Sequence, residues 1–205
     1  MEKQILFATG NAHKMVEIKA ILADLGVPVV SLKEVGIDID IEENGTTFEE
    51  NAMIKASEIA KITENTIVLA DDSGLEIDYL NKEPGIYSAR YAGVDTSYDI
   101  KNQMLIDRLD GVEDAKRTAR FVCAIAAVFP NGDKSVVRGT VEGIIGHEIR
   151  GENGFGYDPI FYIPELGKST SELGPDEKNA LSHRGNALRE IKPTILEYLK
   201  NTCNK

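Results

Sequence analysis

The sequence predicts an α/β protein with a mixed, twisted central β-sheet and helices on its faces. The chain opens with an apolar run, a polar loop and an amphipathic segment, which together begin an α/β unit. Further on, apolar side chains recur at every second position of residues 119–129, and the turn 130–133 follows, which indicates a long strand and a hairpin. A purely doubly wound sheet is therefore disfavoured, and the polar loops at the strand ends are expected to meet in one cleft.

The first two strands and the first helix are predicted from short patterns. An apolar run at residues 5–8 predicts a buried strand, and residues 14–25 carry apolar side chains at helical spacing. Gly26 is a plausible helix stop, and residues 27–32 form a second strand candidate.

The middle of the chain begins with an acidic, irregular segment at residues 37–46. Thr47 and Glu50 form a capping-box pattern that predicts a helix reaching residue 62. The stretches after it predict a buried strand, a sharp polar break and a half-buried strand, at residues 66–70, 71–74 and 75–79.

The remaining elements follow from turn residues and periodicity. Thr96 and Asp99 are expected to open a helix that Gly111 closes. Pro193 should kink the last helix. The other predicted elements are a turn, a return strand, a glycine-rich loop, a short strand and a final helix, at residues 81–85, 135–149, 151–158, 160–163 and 182–201.

Composition and charge exclude several classes of function. The 205 residues are 42% hydrophobic and 28% charged, which predicts one globular domain, residues 1–205, of one or two lobes. A net charge of −11 disfavours nucleic acid and anionic membranes as partners, whereas a phosphate ligand needs only a local cluster of cations and a metal ion. No signal peptide or membrane span is evident, and Cys123 and Cys203 form no disulfide or zinc pattern, so we expect a cytoplasmic protein.

Two segments suggest phosphate and metal binding. Residues 9–14 (Thr-Gly-Asn-Ala-His-Lys) lie between a strand and a helix, where backbone N–H groups and a lysine can bind an anion. A capped turn with a surface lysine is the alternative. The carboxylates of segments 42–45 and 71–74 can bind a hard cation through oxygen, although a solvated acidic pair and an Asx turn explain them as well.

Two further segments suggest recognition of a base. The loop 151–159 has three glycines that let a ligand approach the backbone, and Phe155 offers a ring for stacking. His183 and Arg184 fall in the first turn of the final helix, where cations oppose the helix dipole and can therefore mark a ligand. A flexible connection and exposed terminal cations are the alternatives.

Taken in order, these segments resemble the HAM1-like inosine triphosphatase family, the pyrophosphatases of non-canonical purine nucleotides. The resemblance covers almost the whole chain, and several distinct motifs occur in the family's order. The matching stretches are ATGNAHK, EENGTTFEENAMIKA, LADDSGLEID, EPGIYSARYAG, TARFVCAI, GFGYDPIF and LSHRGNAL.

The resemblance implies an elongated α/β protein with two lobes around an active-site cleft, and usually a homodimer. It also implies Mg²⁺-dependent hydrolysis of purine nucleoside triphosphates such as ITP, dITP and XTP to the monophosphate and pyrophosphate. By match to the family's motifs, Glu43 and Asp72 are expected to bind Mg²⁺, and Asp72 is also expected to be the catalytic proton acceptor.

The remaining matched residues are implied to contact the substrate. Those for the phosphates are Thr9, Gly10, Asn11 and Lys14 in a loop and the lysines Lys55 and Lys178. Ser73 is implied to be a substrate contact. Those for the base are Phe155, Gly156, Tyr157 and Asp158 on one wall and His183 and Arg184 on the other.

The expected selectivity depends on the 6-keto group of the purine. This group accepts hydrogen bonds from donors such as Arg184, His183 or a backbone N–H, whereas the 6-amino group of adenine leaves such donors unpaired. Rejection of GTP is not explained by this contact. Two other classes stay open, namely a pyrophosphatase of modified pyrimidine or standard nucleotides and a binding protein without catalytic activity.

Overall fold

The computed structural model describes residues 4–203 and contains a single seven-stranded sheet within that range. The strands are β1 Ile5–Phe7, β2 Val29–Ser31, β3 Ile67–Ile77, β4 Thr118–Val128, β5 Lys134–Ile145, β6 Phe161–Ile163 and β7 Lys168–Ser169. Their order is β2-β1-β3-β4-β5-β6-β7. Since β1 pairs in parallel with β2 and β3, while β6 pairs antiparallel with β5 and β7, the predicted mixed sheet is confirmed.

Five α-helices accompany the sheet within the described residues. They are α1 Ala12–Leu22, α2 Phe48–Lys61, α3 Tyr98–Arg108, α4 Pro175–Leu181 and α5 His183–Cys203. Short 3₁₀ turns lie at Ala23–Leu25, Asp78–Leu80, Gly85–Arg90, Asp114–Lys116, Asp158–Ile160 and Thr170–Glu172. The sequence patterns missed α4 and β7, since both are too short to show a clear period.

Local capping signals explain where the first helices begin. The Asn11 side chain accepts hydrogen bonds from the N–H groups of His13 and Lys14, and Thr47 accepts one from Glu50, so the predicted cap at Thr47 is confirmed. The Glu50 carboxylate accepts from Thr46 N at 2.6 Å. The capping box is therefore displaced by one residue, since its reciprocal bond was expected at Thr47 N.

Two sequence predictions about element boundaries are wrong. Residues 71–74 do not break the strand, because β3 continues through both aspartates. Neighbouring strand residues point to opposite faces, so Asp71 reaches Lys14 on one face and Asp72 reaches Asn51 on the other, and neither needs a turn. Helix α3 is capped by Ser97, whose hydroxyl accepts from Ile100 N, and not by Thr96.

In the final third, apart from the missed β7 and α4, the predictions differ from the structure at one strand end. Strand β5 ends at Ile145, earlier than expected, and a Cβ at Gly146 would lie 2.2 Å from the Tyr162 ring. Helix α5 begins within a residue of its predicted start and runs through Pro193. The chain thus leaves the sheet at Gly146, where only glycine fits beside the tyrosine.

The chain divides into two compact units, each with its own apolar core. The first comprises the described residues up to Asp72, Cys123–Gly139 and the residues from Arg184 on. Its core is formed by β1, the first part of β3, the second part of β4, α1 and α5. The second comprises Ser73–Val122 and Thr140–His183, and residues of α3, β6 and the adjoining strand segments form its core. Among the described residues, no helix is both long enough and apolar enough to cross a bilayer.

Candidate active site

The start of α1 in the first unit has the features of an anion site. Thr9 is 8% exposed, and its hydroxyl accepts a hydrogen bond from Asn11 N at 3.2 Å, which shapes the turn between β1 and the helix. Asn11 itself satisfies the N–H groups of His13 and Lys14. Open space surrounds Gly10, because a Cβ there would meet nothing within 4 Å. A ligand can thus approach the backbone at Gly10, next to the positive end of the helix dipole.

Asp71 anchors a buried network of charges beside this turn. Its carboxylate lies 2.9 Å from Lys14 Nζ and 3.4 Å from Arg184 Nη2, and the Asp71 and Arg184 side chains are 1% and 2% exposed. Arg184 Nη1 also donates to Glu17 at 2.5 Å. Burial by itself would raise the pKa of Asp71, but the charges of Lys14, Arg184 and Lys55 outweigh it and hold the pKa below its ordinary value. Asp71 is therefore ionised at neutral pH and holds Lys14 in an ion pair.

A second group of charges surrounds Asp72 on the opposite face of β3. Asn51 Nδ2 donates to Asp72 Oδ2 at 3.0 Å, and Lys55 Nζ lies 4.0 Å from Asp72 Oδ1 and 3.1 Å from Glu43 Oε1. Lys55 thus lies between two carboxylates from separate segments. Burial raises the pKa of Asp72, and Glu43 and Asp71 add to the rise, although Lys55 and Asn51 oppose it.

Asn51 joins the acidic segment to β3 and was missed by the sequence analysis. It is fully buried, its Oδ1 accepts from Gly45 N at 2.9 Å, and its Nδ2 binds Asp72. A Cβ at Gly45 would lie 2.7 Å from that same Oδ1, so only glycine permits the contact. One signal was available in the sequence, since Asn51 precedes Lys55 by four residues and shares its helix face.

The donor atoms around Asp72 fit a hard divalent cation. Asp72 and Glu43 both approach one lysine. Burial is the main cause of the raised pKa of Asp72, and a cation bound beside its carboxylate would offset that effect. Within the described part of the chain, no three His, Cys, Asp or Glu side chains form a ready-made metal cage. Mg²⁺ seldom uses such a cage, because it prefers one or two carboxylates together with water and substrate phosphates.

The glycine-rich loop lies in the second unit and is held by Asp158. The Asp158 carboxylate accepts from Phe155 N at 2.8 Å, from Thr170 Oγ1 at 2.9 Å and from Lys178 Nζ at 2.8 Å. Lys178 Nζ also lies 4.8 Å from the centre of the Phe155 ring. A Cβ at Gly154, where φ is +80°, would lie 2.3 Å from Asp158 Oδ2, so glycine is required there. Asp158 is thus committed to shaping the loop.

Tyr157 contributes its side chain to the core of the second unit. It is 4% exposed, its hydroxyl donates to Ser88 O at 2.7 Å, and its ring meets Tyr98 edge-on at 5.2 Å. Burial accordingly raises the pKa of its phenol. Only the backbone of Tyr157 is therefore in a position to contact a ligand, which the motif alone did not indicate.

His183 lies beside a small apolar cavity in the same unit. Its ring stacks on Phe121 with centroids 4.9 Å apart, and it lines the cavity together with Asp158 and Lys178. The cavity volume is about 10 Å³, which is room for one water molecule. The cavity is therefore too small to hold a purine base.

The structure thus gathers the expected site residues in two groups. The first unit holds Arg184 and a set of residues expected at the phosphates and the metal. That set is Thr9, Gly10, Asn11, Lys14, Glu43, Lys55 and Asp72. The second unit holds Ser73, Lys178 and the residues expected at the base. The residues expected at the base are Phe155, Gly156, Tyr157, Asp158 and His183. Ser73, half-buried, directly follows Asp72 on β3.

These features define a mixed-sheet α/β protein with oxygen ligands for a cation and positive groups for an anionic ligand. The chain belongs to the Ham1 family, whose family model matches residues 5–194. The resemblance carried by the motifs is therefore confirmed.

Individual relatives agree over nearly their whole length. The chain is 49% identical to the dITP/XTP pyrophosphatase of Clostridium perfringens, over 97% of this chain and 100% of the relative. It is 47% identical to the dITP/XTP pyrophosphatase of an Exiguobacterium species, over 96% of this chain and 99% of that relative. Among solved structures, a HAM1 protein from Coxiella burnetii superposes with a TM-score of 0.85 at 43% identity, covering 95% of this chain and 99% of that one. The Staphylococcus aureus Ham1 protein gives 0.83 at 42% identity, with 98% and 100% coverage.

Proposed function

We propose that this chain hydrolyses non-canonical purine nucleoside triphosphates, namely ITP, dITP and XTP, to the monophosphate and pyrophosphate. The observation that carries the proposal is the pair of carboxylates, Glu43 and Asp72, that share Lys55 in the same unit as the anion-binding turn of α1. The names of the relatives support the choice of substrate.

Phosphate binding is assigned to groups that are positive or donate hydrogen bonds. Lys14 and Lys55 are bound to carboxylates, with side chains 18% and 15% exposed, so each can turn partly towards a phosphate oxygen. The N–H of Gly10 is assigned as a further donor, since those of Asn11, His13 and Lys14 already bind side chains of the turn. Lys178, held by Asp158, is assigned to the far end of the triphosphate or to the base.

Glu43 and Asp72 are assigned as the protein ligands of Mg²⁺. When bound, Mg²⁺ would neutralise charge on the phosphates and acidify a bound water. Asp72 orients the attacking water or takes its proton. The water oxygen forms a bond to the α-phosphorus, the bond from that phosphorus to the bridging oxygen breaks, and pyrophosphate departs, bound by the lysines.

Release of pyrophosphate tests this function against a binding protein without activity. The assay compares ITP, XTP, GTP, ATP and CTP at one protein concentration, with Mg²⁺ and again with EDTA, and calorimetry measures binding of ITP. We expect turnover of ITP and XTP that disappears with EDTA. Binding of ITP without release of pyrophosphate would establish a binding protein, and preference for standard or pyrimidine nucleotides would establish a different pyrophosphatase.

A matched pair of variants tests the metal assignment. Glu43→Gln removes one proposed ligand, whereas Glu42→Gln makes the same change on the neighbouring exposed side chain. We expect the first variant to need a much higher Mg²⁺ concentration for half-maximal rate and the second to behave like the parent. Equal Mg²⁺ dependence in both variants would remove Glu43 from the metal site.

We also propose a cytoplasmic homodimer. Several large apolar side chains of the second unit are exposed, including Tyr87 at 57%, Val94 at 79% and Ile100 at 54%, and exposed apolar groups of this kind favour an interface. A reducing compartment suits the buried free Cys123. Light scattering on Ile100→Asp tests the dimer, since this charge should shift a dimeric parent towards monomer.

A further inference from the structure

We propose that Asn102, on α3, is a positioning residue for base selectivity, because it orients the Gly156–Tyr157 peptide so that the backbone N–H groups there bind the oxygen at purine C6. The inference rests on the proposed function and on the assignment of the glycine-rich loop to the base. It adds a residue that none of the sequence motifs singled out.

The first argument is the contact between α3 and the loop. Asn102 is 1% exposed, and its Nδ2 donates to Gly156 O at 3.1 Å. The peptide between Gly156 and Tyr157 is trans, so its N–H points opposite to its carbonyl. By holding the carbonyl towards α3, Asn102 directs the Tyr157 N–H away from that helix.

The second argument is the supply of donors in the loop. Phe155 N is already bound to Asp158 Oδ2, and Asp158 N lies 3.3 Å from Phe155 O. In contrast, the N–H groups of Gly156 and Tyr157 donate to no protein group within residues 4–203. Gly156 is half-buried and Tyr157 is buried. Unpaired donors shielded from solvent are costly unless a ligand or water accepts from them.

The third argument is the backbone conformation at these donors. Gly156 has φ of +69°, in the left-handed region, and Tyr157 follows with φ of −92° and ψ of 5°. Successive N–H groups in such a left-handed to right-handed pair form a concave nest that binds an oxygen atom. A 6-keto oxygen is an acceptor and fits this nest, whereas the 6-amino group of adenine does not.

The fourth argument is that the Asn102 side chain is less favourable for stability of the fold than an apolar side chain. Its Oδ1 is buried and has no hydrogen-bond partner among the described residues, which costs free energy that an apolar side chain of similar size would avoid. Retaining an amide at this position is explained by the bond that it donates to Gly156.

The experiment measures kcat/KM for ITP and for purine riboside triphosphate, which carries hydrogen in place of the C6 oxygen. We expect the parent to favour ITP by about tenfold, the range of one or two neutral hydrogen bonds. In Asn102→Asp an ionised carboxylate cannot donate to Gly156 O, so this preference should fall towards one, through loss of activity on ITP alone. Gln103→Glu, the same change on the next and exposed residue of α3, should keep the parental preference.

A second variant controls for loss of activity through misfolding, since a buried aspartate can destabilise the chain. Asn102→Leu has similar size, removes the unpaired oxygen and should melt near the parental temperature, yet it should lose the preference as Asn102→Asp does. A folded variant that keeps the preference, or that loses activity on both substrates equally, would overturn the inference. So would a parent enzyme that shows no preference for ITP over the analogue. Failure of the proposed function would be seen separately, as absence of pyrophosphate release from ITP by the parent.

Discussion

The two adjacent aspartates of β3 should respond in opposite ways to the same substitution. Asp71→Asn removes the charge that faces Lys14 and Arg184, whereas Asp72→Asn removes a charge that burial and its acidic neighbours disfavour. Both substitutions keep the size of the side chain. In metal-free protein at pH 7, the first should lower the melting temperature, and the second should leave it unchanged or raise it.

The sign follows from the direction of each pKa. A carboxyl whose pKa is lowered in the folded state stabilises the fold at pH values above its unfolded pKa, and this stabilisation is lost as the pH falls through its folded pKa. Asp71 belongs to this class. Asp72 has a raised pKa, so its ionised form at pH 7 opposes folding, and removing the charge removes that cost.

The magnitude for Asp71 follows from its partners. Breaking a buried ion pair costs about 3–5 kcal/mol. Arg184 keeps its bond to Glu17, and Lys14 is 18% exposed and can reach water, so the lower end applies. About 3 kcal/mol corresponds to a decrease of roughly 6–12 °C for a chain of this length.

The assay is thermal unfolding followed by circular dichroism, in EDTA at pH 7. Glu113→Gln serves as a control, because it removes an exposed carboxylate 3.1 Å from Lys116 and should change the melting temperature little. Equal losses for Asp71→Asn and Asp72→Asn would refute the reasoning, since it depends on opposite environments on the two faces of one strand.

Three further predictions concern buried groups outside the loop. In a Cys203→Ser background, the Cys123 thiol should react with a thiol reagent only after unfolding, because burial raises its pKa to about 12. Rapid labelling of the native protein would contradict this prediction. Arg117→Lys should lower the melting temperature by several degrees, since the guanidinium donates to three backbone carbonyls and lysine cannot reach all of them; calorimetry checks it. Arg184→Ala should lower turnover of ITP and ATP alike, because its guanidinium binds two carboxylates of the first unit. A loss of turnover for ITP alone would instead show that Arg184 recognises the base.

Much of the fold was predictable because its signals are local. The turn from β1 into α1, the cap at Thr47 and the hairpin after β4 each depend on residues within a few positions of one another. Such patterns report the backbone preference of a short segment, and here tertiary packing agrees with them.

The functional site was predictable only in part. Motifs brought Glu43, Lys55 and Asp72 to attention, but nothing in the order of residues placed one lysine between two carboxylates. Asn51 and Asn102 were not predicted as site residues, because Asp72 and Gly156, to which they donate, lie 21 and 54 residues away.

By itself, then, the sequence determined the α/β class, the family and the chemical groups available for a phosphate, a cation and a base. Tertiary structure alone decided that β3 runs unbroken through two aspartates and that the Tyr157 side chain belongs to the core. It also decided that the pKa of Asp71 is lowered while that of Asp72 is raised. The physical reason is that burial and charge pairing act through space. The ionisation of a carboxylate depends on which distant side chains surround it, and the chain order does not record those neighbours.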